Sequence, residues 1–267
     1  MSTADDLDKS GVDDVDDTPD SPGKMSFLEH LDELRRRILY SVYSVVGAAV
    51  IAFIFIDRIL LEVTAPMLAV LPNGKLLATE ALDPIMIYFK AGLFVALIIA
   101  SPLILLQVWY FIAPGLYAKE KRLAIPFVFV STALFLSGAW FGHRIAFQVT
   151  WQFLAAFNQN LAFQDWMPRT SSAFSLYLRM VLGLGLIFQM PVVIFVLARF
   201  GLVTAKFLWK NFKYAVLIIF IVAAVASPGQ DPASQLLFAA PMLVLYIISI
   251  GVAWVFGKKK PAEIEDE

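Results

Sequence analysis

The chain has 267 residues and a mean hydropathy of +0.75. Its hydrophobic share of 60% exceeds the roughly 45–50% of apolar residues that is usual in soluble domains. Repeated apolar runs close to the ~20 residues that cross hydrocarbon predict an all-α polytopic membrane protein instead. The formal net charge is −1, there is no cysteine, and only two histidines occur, so the sequence argues against disulfides, thiolate chemistry, enzymatic activity and a bound metal or cofactor. We also expect no nucleic-acid partner.

The first ordered element is predicted to begin just after an acidic tail. Residues 1–24 are rich in Asp, Ser and Pro, which is typical of a disordered segment. Ser26 and Glu29 have the spacing of a capping box, which marks the start of a helix. An amphipathic stretch then leads directly into a first span over about Ile38–Ile56. The predicted membrane domain is 25–257, and a charged tail of residues 258–267 follows it.

The middle of the chain alternates apolar spans with long connections. Asp57–Lys90 contains several Pro and Gly residues, which indicates short broken helices at a membrane interface. A second span is predicted over about Ala91–Trp109 and a third over about Leu123–Phe141. Residues 142–175 are dense in aromatics and are expected to form a helix or loop at the membrane–water boundary.

The last three spans differ in length. The fourth is predicted over about Met180–Leu197. The fifth, Tyr214–Ala226, supplies only about 20 Å of apolar helix at 1.5 Å per residue, against a hydrocarbon core of ~30 Å. A sixth run, about Leu236–Phe256, completes a six-helix bundle in which the fifth span is unusually short.

The distribution of positive charge predicts the orientation. With the N-terminus inside, five, three, four and three of the Lys and Arg residues fall in the inside segments, which is fifteen of 21. This bias predicts that both termini and the short connections are cytoplasmic, and that the two long connections are external. The fifteen are Lys9, Lys24, Arg35, Arg36, Arg37, Lys119, Lys121, Arg122, Arg199, Lys206, Lys210, Lys213, Lys258, Lys259 and Lys260.

A short charged hinge lies between the second and third spans. Phe111–Arg122 reads F-I-A-P-G-L-Y-A-K-E-K-R, in which Pro and Gly stop the helix before a basic turn. The cations alone are explained by topology. Glu120 is not, because it is one of only three acids between Asp83 and Glu263. A carboxylate in an otherwise basic loop indicates a site for an incoming cation.

Several motifs in this order resemble the TatC family, the multispanning core of the twin-arginine protein translocase. They are F-L-E-H-L-D-E-L-R-R-R-I near the N-terminus, the charged hinge, T-A-P after the first span, F-Q-M-P in the fourth span and the loop S-P-G-Q-D-P-A-S-Q. The resemblance covers about residues 25–257. It implies six helices in a curved, glove-like wall with a short fifth and sixth span, in the cytoplasmic (inner) membrane of a bacterium.

The resemblance also implies a function. A member of the family is the core receptor and channel-organising subunit that binds the twin-arginine signal peptide of folded cargo on its cytoplasmic face. It recruits TatA- and TatB-type single-span subunits for export driven by the proton-motive force, and a homo-oligomer within the complex is expected. Membrane lipid is a further expected partner.

Two acids match the family positions that recognise the arginine pair of the signal. These are Glu33 and Glu120, and a carboxylate matches the planar guanidinium fork better than it matches an ammonium. From its spacing alone, Glu33 could instead form an i,i+4 surface pair with Arg37. Other family positions around the same surface are His30, Leu34, Arg35, Arg37 and Phe111. Arg35 and Arg37 cannot contact an arginine favourably, so we expect them to orient the acids or the loop, although they could equally be topology determinants. His30 could be an ordinary histidine of the first helical turn.

A second polar group is predicted inside the membrane. Gln189 lies near the middle of the fourth span, and Pro191 leaves the carbonyl of Ile187 without its helical donor. The amide either bonds locally to that weakened turn or, as the resemblance implies, meets the transmembrane helix of a partner. Many relatives carry Glu here, and Gln cannot titrate, so a proton-linked role for this position is in doubt.

Three further positions match external parts of the family. Pro66 matches the T-A-P motif, and Asp231 and Gln235 match the last external loop. Asp231 could alternatively be an ordinary N-cap before Leu236.

Two other functional classes compete with the translocase. A proton- or solute-coupled secondary transporter would need charges within the membrane or broken helices in matched halves, and no internal repeat is evident. A membrane-embedded hydrolase would need a base next to its nucleophile. His30 and His143 fall at opposite membrane faces, so neither can serve a buried serine.

Overall fold

Helices make up nearly all of the chain that the computed structural model describes, which is residues 27–71, 74–112, 124–159, 167–226 and 232–257. Within these ranges there is no strand, and one isolated bridge joins Leu77 to Arg169. The helices are α1 (Phe27–Ile54), α2 (Ile56–Leu68), α3 (Asp83–Ile112), α4 (Ala124–Phe141), α5 (Phe147–Gln159), α6 (Thr170–Ile187), α7 (Met190–Arg199), α8 (Ala205–Lys210), α9 (Phe212–Ala226) and α10 (Pro232–Phe256). The predicted all-α polytopic class is confirmed.

Five stretches of helix in the described ranges are long and apolar enough to cross a membrane. They are Leu28–Ile54, Asp83–Ile112, Ile125–Asn158, Thr170–Arg199 and Gln235–Phe256. Helix α9 has only 15 residues, as the sequence predicted for the fifth span. The expectation of a short sixth span is wrong, because α10 has 25 residues and continues through Pro241.

The third span continues well beyond its predicted end. A π-turn at Gly142–Ala146 joins α4 to α5, so a single helical path runs to Gln159. The prediction of a separate boundary segment from residue 142 onwards is therefore wrong for its first part. Aromatic and polar side chains in α5 masked the helical continuation in the sequence, although Phe147 and Trp151 are both buried in the core.

Prolines inside the helices have unequal effects. Pro102 cannot donate to the carbonyl of Ile98, yet α3 is unbroken. The hydroxyl of Ser101 donates to that carbonyl at 2.7 Å and satisfies it. Pro191, by contrast, stands just after a turn at Phe188 and Gln189 that separates α6 from α7. The helix is therefore continuous at Pro102, where the hydroxyl of Ser101 satisfies the freed carbonyl, and is interrupted just before Pro191.

Small residues bring α1 against α3. Ala48 and Ala52 of α1 are buried with Ala96 and Ala100 of α3 in one cluster. Helices in lipid gain little from apolar burial, so close approach through small side chains supplies much of their packing energy. This contact positions the first helix, which carries Glu33, beside α3.

Glycines bring α4 against α6 in the same manner. A Cβ added at Gly138 would lie 2.7 Å from the carbonyl oxygen of Leu184, and one at Gly142 would lie 2.9 Å from the Cα of Val181. A Cβ added at Gly185 would likewise lie 2.9 Å from the ring of Phe135. The interface therefore has no room for side chains at these positions.

The predicted external segment between the first two spans is partly helical and is attached to the rest. Helix α2 contains Pro66, and the indole Nε1 of Trp151 donates to the carbonyl of Met67 at 3.0 Å. The connection after α2 pairs with the start of α6, since Leu77 donates to Pro168 at 3.1 Å and accepts from Thr170 at 2.9 Å. These bonds place the start of α3 and the start of α6 at the same end of the molecule.

Candidate functional site

An ion pair on α1 forms the centre of the candidate site. Arg37 Nη2 donates to Glu33 Oε1 at 3.0 Å, one helical turn away, and the Glu33 side chain is only 15% exposed. The i,i+4 pair that the spacing allowed is therefore present. It uses only one carboxylate oxygen, however, because the buried Glu33 Oε2 has no hydrogen-bond partner among the described residues. A carboxylate with an unused oxygen can accept a further donor.

Helix α3 holds the guanidinium of Arg37 in place. Gln107 Oε1 accepts a long hydrogen bond from Arg37 Nη1 at 3.4 Å, and the guanidinium lies over the ring of Tyr110 at 4.9 Å. The two contacts fix the direction from which Arg37 reaches Glu33. Arg37 thus connects Glu33 on α1 with Gln107 and Tyr110 on α3.

A groove of about 510 Å³ runs between α1 and α3 and includes Arg37, but not Glu33, in its lining. Arg37, Ser41 and Gln107 line it almost entirely with carbon atoms, so the groove is apolar along its whole length. On α1 the lining extends from Leu34 to Val46, about 18 Å at 1.5 Å per residue. The apolar residues are Leu34, Ile38, Val42, Val45 and Val46 of α1 and Leu93, Leu97, Ile104, Val108 and Phe111 of α3. The Glu33–Arg37 ion pair therefore lies next to one end of an apolar groove.

The other residues predicted around Glu33 separate into two groups. His30 stacks on Phe111 with ring centroids 4.4 Å apart, which joins the start of α1 to the end of α3. Leu34 and Phe111 line the groove between these helices. Arg35 is exposed and does not line that groove, so its assignment as a topology determinant remains open.

Glu120 falls outside the described residues, as does most of the hinge that contains it. The described chain leaves α3 at Ile112, one residue beyond the Phe111–His30 stack, and resumes at Ala124. That Glu120 and Glu33 act together stays a prediction.

Gln189 bonds across the helix interface, not within its own turn. Its Nε2 donates to the backbone carbonyl of Ser131 in α4 at 3.0 Å. Of the two alternatives for this amide, the local bond to the weakened turn of α6 is therefore not the one that forms. The turn at Phe188–Gln189, with Pro191 after it, directs the amide towards α4.

Two unpartnered hydroxyls accompany this amide. The buried Ser131 Oγ and Thr132 Oγ1 on α4 have no hydrogen-bond partner among the described residues. Polar groups in hydrocarbon are costly unless they are partnered. Gln189, Ser131 and Thr132 thus form a polar patch between α4 and the α6–α7 turn, within the predicted membrane region.

The three predicted external positions have different outcomes. Pro66 lies inside α2, not in a loop. Gln235 is also not in a loop, since it lies in the first turns of α10 and donates to the carbonyl of Phe220 in α9 at 2.9 Å. Its role is to fasten the short α9 to α10. Asp231 falls outside the described residues, so both of its predicted roles stay predictions.

Sequence reasoning missed Gln107 and Tyr110. The signal was present, because Gln107 is a lone amide in the otherwise apolar second span. Its partner could not be identified, since Arg37 is 70 positions away in sequence and meets it only through the packing of α1 on α3. In the described part of the chain no group of three or more His, Asp or Glu residues could hold a metal ion.

Comparisons with known proteins agree with this architecture. A family model described as Sec-independent protein translocase protein (TatC) matches residues 29–241. A Sec-independent protein translocase protein TatC from Koribacter versatilis is 38% identical over 235 residues, which are 86% of each chain. Another from Desulforapulum autotrophicum is 38% identical over 239 residues, which are 89% of this chain and 87% of the relative.

A solved structure has the same fold. The crystal structure of a twin-arginine translocase receptor, TatC, superimposes with a TM-score of 0.71 at 36% sequence identity. The match covers 84% of this chain and 97% of that one. The similarity therefore extends over the membrane domain as a whole.

Proposed function

Because the chain belongs to the TatC family and is thus a membrane component of the twin-arginine translocase, we propose that Glu33 and Glu120 bind the arginine pair of a signal peptide. The observation that carries the proposal is the half-used carboxylate of Glu33. Arg37 occupies one oxygen at 3.0 Å, and the other is buried without a described partner. Binding of a twin-arginine peptide to the purified protein, compared between wild type and Glu33→Gln, tests it.

The chemistry of this carboxylate suits arginine better than lysine. A guanidinium presents its donors in a planar fork and remains charged when it is partly removed from water. At this site the incoming group meets a carboxylate whose side chain is only 15% exposed. A compact, strongly hydrated ammonium would lose more hydration there than it regains in hydrogen bonds.

The groove beside Glu33 suits the rest of a signal peptide. Export signals carry a positively charged region followed by an apolar region of about 7–15 residues. In the proposed arrangement the arginines lie at Glu33, next to the end of the groove that Arg37 and Gln107 line. The apolar region then follows the groove between α1 and α3, whose lining beyond Ser41 is apolar.

The orientation of the chain is part of the same proposal. The excess of Lys and Arg in alternate connections supports an N-in, C-in arrangement in the bacterial inner membrane. The start of α1 and the end of α3 then lie at the cytoplasmic face, where a signal peptide arrives before export. The connections with Leu77 and Arg169 lie on the external face.

Single cysteines introduced at two exposed positions are expected to report opposite sides. The chain has no cysteine of its own, so Lys75→Cys and Leu202→Cys each create one reactive thiol. In spheroplasts, an impermeant maleimide should label Lys75→Cys at once and Leu202→Cys only after the membrane is permeabilised. Immediate labelling of Leu202→Cys would contradict the orientation.

The polar patch around Gln189 is the proposed contact for a single-span TatA- or TatB-type subunit. The hydroxyls of Ser131 and Thr132 are enclosed, whereas Gln189 is only half-buried, so the amide is the group of this patch that a neighbouring helix could reach. Hydrogen bonds between helices in lipid contribute about 1 kcal/mol each. A homo-oligomer within the complex is a further part of the proposal.

Gln189→Leu is expected to weaken crosslinking between this patch and the single-span subunit by a few-fold, while signal-peptide binding persists. The substitution removes the donor to the Ser131 carbonyl without changing the apolar surroundings. Gln189→Glu is the matched variant, because a protonated carboxyl can donate to the same carbonyl, and it should retain crosslinking. Equal loss of crosslinking and peptide binding in Gln189→Leu would indicate a folding defect and contradict a partner contact.

A further inference from the structure

The connection between α7 and α9 exposes aromatic and basic side chains together. In and around α8, Phe207, Trp209 and Tyr214 are 56%, 67% and 55% exposed. Lys206, Lys210 and Lys213 are exposed among them. Interleaved aromatic and basic residues are typical of protein segments that lie at the headgroup layer of a membrane.

One face of α8 carries a uniform positive charge. Lys206, Trp209 and Lys210 are three and four residues apart, so they share a face of the helix. The sequence contains no Asp or Glu from residue 166 to residue 230, so no acid of this segment neutralises them. The two ammonium groups can therefore bind an anionic group while the indole contacts an apolar part of the same molecule.

This face is held outward by contacts on the opposite side of α8. Leu208 is buried, and its carbonyl accepts a hydrogen bond from the hydroxyl of Tyr246 in α10 at 2.9 Å. Thr204 caps the helix by accepting from the backbone N–H of Phe207 at 3.2 Å. Because α8 is fixed at both points, Trp209 cannot turn into the core.

The short α9 fixes the depth of this face. Helix α9 has 15 residues, about 22 Å at 1.5 Å per residue, against a hydrocarbon thickness of ~30 Å. Asn211 alone separates α8 from α9, so α8 lies at the polar–apolar boundary of the membrane. A short span costs free energy through local thinning of the bilayer. Favourable headgroup contacts at α8 would offset part of that cost.

We propose that the face of α8 formed by Lys206, Trp209 and Lys210 binds an anionic phospholipid, with the lysines on the headgroup phosphate and the indole at the acyl boundary. The occupant is a membrane lipid, since a soluble phosphate would use the lysines but not the exposed aromatics. This inference does not depend on the signal-peptide site, which lies on α1 and α3.

The test is lipid binding to the full-length protein in detergent, measured by native mass spectrometry with phosphatidylglycerol and phosphatidylcholine. The wild type should bind phosphatidylglycerol at least tenfold more tightly than phosphatidylcholine. Lys206→Gln with Lys210→Gln should lower phosphatidylglycerol binding about tenfold and leave phosphatidylcholine unchanged. Trp209→Ala should weaken both lipids a few-fold, which a purely electrostatic site would not do.

A matched control removes the same charge at the other membrane surface. Lys75→Gln with Lys90→Gln changes two exposed lysines at the end of the molecule where α3 begins, and should leave phosphatidylglycerol binding within twofold of the wild type. Equal losses in both double variants would reduce the effect to net charge and overturn the site. Displacement of the lipid by excess glycerol phosphate would overturn the lipid assignment. So would a Lys206→Gln, Lys210→Gln variant that keeps its lipid selectivity but loses a co-purified single-span subunit.

Discussion

Glu33→Gln and Glu120→Gln are each expected to weaken binding of a twin-arginine signal peptide by about 10- to 100-fold. A hydrogen bond from a guanidinium to a partly desolvated carboxylate contributes roughly 1.5–3 kcal/mol, and each 1.4 kcal/mol is a factor of ten. The Glu33 side chain is 15% exposed, so solvent screening is limited at that acid. Peptide titration against the purified protein in detergent measures the loss directly.

The discriminating experiment changes the peptide as well as the protein. A peptide with two lysines keeps the charge of the signal but lacks the guanidinium fork. The wild type should prefer arginine strongly, and Glu33→Gln should prefer it less. A Glu33→Gln protein that separates the two peptides as well as the wild type does would show that the acid does not recognise the signal.

Asp32→Asn supplies the matched control for the acid on α1. Asp32 is the neighbouring residue of the same helix, and its side chain is exposed and outside the groove. Its removal changes the charge by the same amount and should alter peptide affinity only a few-fold, an effect that high salt abolishes. Glutamine at position 33 can still accept from Arg37, so the local fold should persist.

Gly138→Ala is expected to lower the apparent Tm of the purified protein by roughly 2–12 °C. The added Cβ would lie 2.7 Å from the backbone oxygen of Leu184 and 2.7 Å from the Cγ of Phe188. Forcing a group into a packed interface costs about 1–3 kcal/mol, and each kcal/mol lowers Tm by about 2–4 °C in a chain of this size. Thermal unfolding in detergent at one scan rate provides the comparison.

Gly183→Ala is the control, because nothing lies within 4 Å of a Cβ added there on the facing helix α6. Alanine restricts the unfolded chain more than glycine does, so this variant should be about 0.5–1 kcal/mol more stable. If both variants shift Tm in the same direction, the α4–α6 approach is not the factor that limits the size of residue 138.

The sequence predicted elements that depend on local composition. Apolar runs located all six spans, and the 13-residue run from Tyr214 marked the short one. The spacing of Glu33 and Arg37 allowed the ion pair that the structure has, because residues four apart on a helix are neighbours. Pro191 marked the interruption of the fourth span.

Other features arise only when distant segments meet. The groove exists because Ala48 and Ala52 let α1 approach α3, so its volume depends on two helices that are far apart in sequence. The acceptor of Gln189 is a backbone carbonyl 58 residues away in sequence, which no sequence pattern could predict. The sequence did not predict the continuity of α4 with α5, because aromatic side chains that face the core there, such as Trp151, are also typical of the membrane–water boundary.

The π-turn at Gly142–Ala146 determines where related chains can differ in length. A π-turn takes up one extra residue within an α-helix, and the helix on each side keeps its own register. Deleting one residue there would restore a regular helix, with Gly138 still against Leu184 and Trp151 still reaching Met67. Deleting one residue at Val130 would instead rotate the first turns of α4 by about 100° relative to the remainder of the helix. Single-residue gaps between homologues are therefore expected to fall in the π-turn and not elsewhere along this helix.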